Sequence, residues 1–113
     1  MTPIAPARGL DQRHQALELA NEIRYHRAAF KRALRRSGHR HAALSAGVIL
    51  HAPPHWAQTM KVRNLLVALP GIRDAKADRL LIQLGISPRK TIAGMSPRQR
   101  LELTNWLVRR AAE

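Results

Sequence analysis

Between Leu69 and Ala77 the chain reads Leu-Pro-Gly-Ile-Arg-Asp-Ala-Lys-Ala, a Pro-Gly turn set between two short apolar-periodic segments. Such a turn lets backbone N–H groups and the N-terminus of the next helix approach an anion closely, and the helix dipole favours negative charge there. Gly71 leaves the backbone unhindered, Arg73 and Lys76 add charge beside it, and Arg79 follows Lys76 by about one turn. The chemistry on offer is phosphate binding. Pro-Gly turns also make ordinary helix corners, so the surrounding charge has to choose between the two readings. No acid occurs between Glu22 and Asp74, a stretch that holds Arg24, Arg27, Lys31, Arg32, Arg35, Arg36, Arg40, Lys61, Arg63 and Arg73. A second acid-free stretch, from Asp78 to Glu102, holds Arg79, Arg89, Lys90, Arg98 and Arg100. Unbalanced basic surface destabilises a compact state by self-repulsion, and solubility alone is better served by acids, so the charge points to a polyanion.

Other constellations carry less. His39 and His41 are too close in sequence to share a helical face, and the four-residue spacing of His51 and His55 is interrupted by Pro53 and Pro54. With no cysteine in the chain, neither a thiolate site nor thiol catalysis is available, and we expect no metal. The histidines read as surface residues that strengthen polyanion binding when protonated. Asp74 and Asp78 are one turn apart but sit among Arg73, Lys76 and Arg79, as ordinary helix charges. No nucleophile–base pair or Walker-type loop is present. The chain is therefore expected to be no enzyme and to use no cofactor or small-molecule substrate.

The elements that must position the turn are helical. The chain has 113 residues, 20 Lys+Arg against 7 Asp+Glu (net +13), 45% apolar residues and 4% aromatics. That is the size of one small domain, too poor in aromatics to stack many bases. Residues 1–10, with Pro3, Pro6 and Gly9, read as a flexible leader. Residues 11–38 predict a long basic amphipathic helix that Asp11 caps and Ser37-Gly38 ends. Its apolar stripe is Ala16, Leu19, Ile23, Phe30 and Leu34, with Arg24, Lys31 and Arg35 on a neighbouring face. Residues 39–113 hold the rest, beginning with a helical segment over 41–50 and an irregular connection through Pro53-Pro54. Val62, Leu65, Leu66 and Leu69 repeat at helical spacing before Pro70-Gly71, and Ala77, Leu80, Leu81 and Leu84 do so before Gly85. Ser96, Pro97 and Gln99 form a capping box that opens a last helix burying Leu103, Trp106 and Leu107. Trp56 and Trp106 read as core anchors. No segment alternates with period two, so the fold class is all-α, and neither helical stripe demands a partner chain, which predicts a monomer.

Met60-Lys61-Val62, Leu65-Leu66, Ala68-Leu69-Pro70-Gly71-Ile72, Lys76-Ala77, Leu84-Gly85-Ile86 and Pro88-Arg89-Lys90, in this order and spacing, resemble the actinobacterial integration host factors. Arg27-Ala28-Ala29-Phe30-Lys31, Leu34-Arg35 and Gly38 are similar to that family's basic first helix, and Gly94 and Arg98-Gln99-Arg100 to its last. The resemblance implies an all-helical, nucleoid-associated protein of the cytoplasm, built around a helix-two-turn-helix and binding duplex DNA with little sequence preference while bending or compacting it. Carried over by position, the DNA-facing residues are Gly71, Ile72, Arg73 and Lys76, with Arg79 beyond them, Arg89 and Lys90 in the following loop, and Arg24, Lys31 and Arg35 on the first helix. Two departures stand out. Arg73 and Asp74 replace a second glycine and a base, so Asp74 is expected to cap the helix. The loop after Pro88 has two bases where relatives have several arginines. Structured RNA is the rival ligand, since the same motif serves both polymers. A membrane-surface or partner-binding role for the first helix ranks lower, because its stripe has one Phe and no Trp.

Overall fold

The computed structural model describes the backbone from residue 4 to residue 113 and the side chains from residue 11 onward. Among the described residues the regular structure is six helices, α1 (Ile4–Arg36), α2 (His39–His51), α3 (His55–Gln58), α4 (Val62–Val67), α5 (Asp74–Leu84) and α6 (Pro97–Ala112). One isolated bridge joins Lys61 to Thr91. The fold is all-α.

The first helix starts at Ile4 rather than at Asp11. Pro6 falls in its first turn, where a backbone N–H has no intrahelical acceptor to lose, so the proline does not delay the helix. Residues 1–3 of the expected leader lie outside the described residues. The predicted stripe of α1 is buried only at its C-terminal end. Leu34 is in the core and Phe30 packs against it, whereas Leu19 is 46% exposed and Ala16 is exposed as well. The reason is length. A helix of 33 residues is roughly 50 Å long, in a molecule whose shorter extents are 28 and 24 Å, so its N-terminal half outruns the surface it could cover.

The core is built from α2 and α6 together with the short helices. Leu50, Val62, Leu65, Leu66, Leu81, Leu103 and Leu107 are fully buried in it. His39 Nε2 lies 2.7 Å from the Arg110 carbonyl, and Arg100 donates to the Leu50 carbonyl. The start of α2 therefore meets the end of α6, and the two helices run antiparallel. The connection after Pro53-Pro54 holds a short helix that periodicity cannot reveal in four residues. Its Trp56 lies against Phe30 of α1, ring centroids 5.3 Å apart, and its carbonyl accepts from Arg27 Nε at 2.7 Å. Both tryptophans are half-buried at the edge of the core rather than inside it.

The ends of α5 and α6 follow their sequence signals. Gly85 takes the left-handed conformation at φ 67°, and Ile86 N–H reaches the Leu81 carbonyl at 2.8 Å, the Schellman arrangement. Ser96 Oγ accepts from Gln99 N–H at 3.1 Å, and Gln99 Oε1 accepts from Ser96 N–H at 3.0 Å. Gln99 also donates to the Gly85 carbonyl at 2.9 Å, so one side chain ties the start of α6 to the end of α5.

Candidate nucleic-acid interface

Two successive turns join α4 to α5. Leu69 N–H bonds the Leu66 carbonyl at 3.0 Å, and Ile72 N–H bonds the Leu69 carbonyl at 3.2 Å. In the second turn Pro70 is the first central residue and Gly71, at φ 79°, is the other. That pairing is the signature of a type II turn, whose second central position needs a positive φ. The Pro70 carbonyl accepts from the Arg110 guanidinium at 2.9 Å. A trans peptide points its C=O and the next N–H in opposite directions, so the Gly71 N–H faces away from Arg110, on an exposed residue.

Helix α5 begins immediately after. Its N-cap is Arg73, whose side chain makes no cap hydrogen bond. Asp74 thus does not cap the helix. It pairs with Arg63 at 3.3 Å, and Arg63 Nε also binds Asp78 at 2.8 Å. The first N–H groups of α5 have no intrahelical acceptor by geometry, and no described side chain takes their place. The hydrogen bond from Arg63 holds the Asp78 carboxyl below its ordinary value, and the same pairing raises Arg63. Both acids beside the turn are thus tied to a base of α4, while Arg73, Lys76 and Arg79 stand exposed.

Of the residues expected to face DNA, Ile72 has its side chain turned away from the surface. Its side chain is 3% exposed in the core and its N–H is already bonded to Leu69, so it anchors the turn from beneath. Gly71, Arg73 and Lys76 are brought together, and Arg79 lies one turn on. Arg89 is exposed and Lys90 half-buried in the loop after α5. That loop is fastened to the start of α4, with Val62 N–H on the Lys90 carbonyl at 3.0 Å and Ile92 N–H on the Met60 carbonyl at 2.9 Å. The two basic points therefore flank α4, one at each end. Arg24 and Arg35 are exposed on α1 and Lys31 is half-buried. This third patch belongs to a helix that packs on α3 and α2.

Several bases are committed elsewhere: Arg27 to Trp56 and Thr59, Arg100 to Leu50 and Ile92, and Arg98 to Glu102. Sequence reasoning missed Arg110 altogether. It is buried, stacks over Trp106 at 5.5 Å from the ring centroid, and supports the turn from 40 residues away. The spacing of Trp106 and Arg110, one helical turn, is the only trace of this in the sequence.

A short helix, two turns and a second helix define a helix-two-turn-helix protein, and residues 51–106 match the S13-like H2TH domain family. The chain is 32% identical over 99 residues to integration host factor of Streptomyces coelicolor, covering 88% of this chain and 86% of that one. It is 34% identical over 93 residues to the integration host factors of Mycolicibacterium smegmatis and Mycobacterium tuberculosis, covering 82% of this chain and 86% of each. Among solved structures it is similar to sIHF bound to an 8-bp palindromic DNA, with TM-score 0.62, 25% identity, and coverage of 80% of this chain and 98% of that one. The chain belongs to the integration host factor family.

Proposed function

We propose that this protein binds duplex DNA as a nucleoid-associated protein, gripping backbone phosphates with little regard to sequence and bending or compacting the duplex. It works by binding alone, without a catalytic step. The observation that carries the reading is the bare N-terminus of α5 beside the Pro70-Gly71 turn. Its N–H groups have no side-chain partner, Arg73 and Lys76 stand exposed beside it, and the two neighbouring acids both pair with Arg63, which offsets one of their two charges. Backbone N–H groups and bases at a helix start contact phosphate, which fixes position on the duplex without reading sequence. The Arg89-Lys90 loop and the α1 face with Arg24, Lys31 and Arg35 supply further phosphate contacts, and spaced contacts on a stiff duplex favour bending it.

Titration of duplexes of unrelated sequence across a salt series tests this. Neutralising on the order of 6–10 phosphates costs about 10³–10⁵ in affinity between about 50 and 200 mM salt. A salt-insensitive affinity would sink the electrostatic mechanism. Gel shifts on circularly permuted fragments report binding and bending together. Competition with structured RNA at equal phosphate decides the polymer, because helix-terminal N–H groups can donate to the phosphates of either.

A further inference from the structure

Arg110 is the one charged residue buried among the described residues, 9% exposed, and no described carboxylate lies within ion-pair distance of it. A guanidinium has five N–H donors. Here it has one oxygen partner, the Pro70 carbonyl at 2.9 Å, and the face of Trp106. No buried side-chain nitrogen among the described residues lacks a hydrogen-bond partner, so the guanidinium nitrogens that Pro70 does not hold keep access to solvent, and the charge stands just beneath the surface. The nitrogen bonded to Pro70 is also the atom that a Cβ on Gly71 would meet, at 3.0 Å. The unpaired charge thus lies directly behind the residue whose N–H faces outward.

We propose that Arg110 is the positioning residue of the phosphate turn. By holding the Pro70 carbonyl inward it aims the Gly71 N–H at a DNA phosphate, and its own positive charge, which no described carboxylate pairs, adds to the field that phosphate meets. A turn of this length has two main states that differ by a flip of its central peptide. A charged donor fixed behind the carbonyl selects the type II state. Trp106, one turn earlier on α6, and the bond between His39 Nε2 and the Arg110 carbonyl at 2.7 Å fix where that donor stands. The proposal rests on reading residues 71–76 as a phosphate site, and it assigns a role to a residue that exposed charge alone would never single out.

The test uses Arg110→Gln, which keeps an N–H donor for Pro70 without the charge, and Arg110→Leu, which removes both. Each variant's fold is checked by circular dichroism and thermal unfolding. With wild-type protein, a short duplex should shift the Gly71 amide and the Arg110 Nε–H resonances together. Arg110→Leu should bind every duplex roughly 10-fold or more weakly, with no Gly71 response. Arg110→Gln should recover that response while its affinity stays between the other two. Wild-type affinity and a wild-type Gly71 shift in Arg110→Leu would overturn the proposal. If the variants do not fold, the wild-type titration still decides, because a silent Arg110 Nε–H beside a moving Gly71 amide also overturns it. A different result marks failure of the site itself. There the Gly71 amide stays silent in wild type and Arg73→Ala/Lys76→Ala binds unchanged, which removes the ground for any role of Arg110.

Discussion

Arg63 reaches both Asp78, at 2.8 Å, and Asp74, at 3.3 Å, and so offsets one of the two negative charges that an approaching phosphate meets. The Asp78 carboxyl titrates below its unfolded value, near 3.8. This pairing therefore contributes stability at pH above that value and loses it as pH falls through the depressed folded value. Arg63→Ala should return the Asp78 midpoint toward 3.8, read from carboxyl ¹³C shifts, and should weaken duplex binding by exposing both acids. An unchanged midpoint would mean the guanidinium is not the cause. At Gly71, φ of 79° and the Arg110 nitrogen 3.0 Å from a Cβ position act together. Gly71→Ala should cost about 1 kcal/mol or more in denaturant unfolding and also push the Arg110 guanidinium off the Pro70 carbonyl. Replacing Arg73 and Lys76 by Ala should weaken binding to all duplexes alike and reduce the salt slope by about 2. Selective loss on particular sequences would show those side chains reading bases.

The elements were legible where local chemistry ends them and obscure where packing decides. Helix α5 is bounded as its Ala77–Leu80–Leu81–Leu84 spacing and Gly85 predict, and α6 opens on the Ser96–Gln99 box as read. Ser96→Ala should cost about 1 kcal/mol and loosen the Gln99 link to Gly85, which thermal unfolding measures. Helix α1 shows the opposite. Its periodic stripe continues through Ala16 and Leu19, yet nothing in the sequence says that the surface beneath it stops near Phe30. A helix without packing partners is only marginally stable in water. Amides over residues 11–22 should therefore exchange much faster than those of α6, a difference that hydrogen exchange resolves directly. The turn between α4 and α5 was legible from Pro70 and Gly71. Its support was not, because the contact between Pro70 and Arg110 joins segments 40 residues apart in the chain, and Asp74 was misread as a cap because its partner Arg63 lies on another helix.

At the scale of the whole molecule, a net charge of +13 acts on folding and on binding with opposite sign. Added salt screens the self-repulsion of the folded chain and reduces the counterion gain on meeting DNA. Raising salt from about 50 to about 200 mM, a range in which phosphate-driven affinity collapses, should therefore raise the unfolding temperature of the free protein. A melting temperature that fell with salt would show that the internal pairs of Arg63 and Arg98, rather than the surplus bases, set the charge balance of the fold.

The hydrogen bond between Arg110 and Pro70 spans 40 residues, which places its two ends far apart in the order of synthesis. The turn leaves the ribosome well before the residue that orients it. Until Arg110 follows and α6 docks on α2, the emerging chain carries the bases of this family but an unset turn, and its earliest encounters with polyanions are made without the grip that the finished protein has.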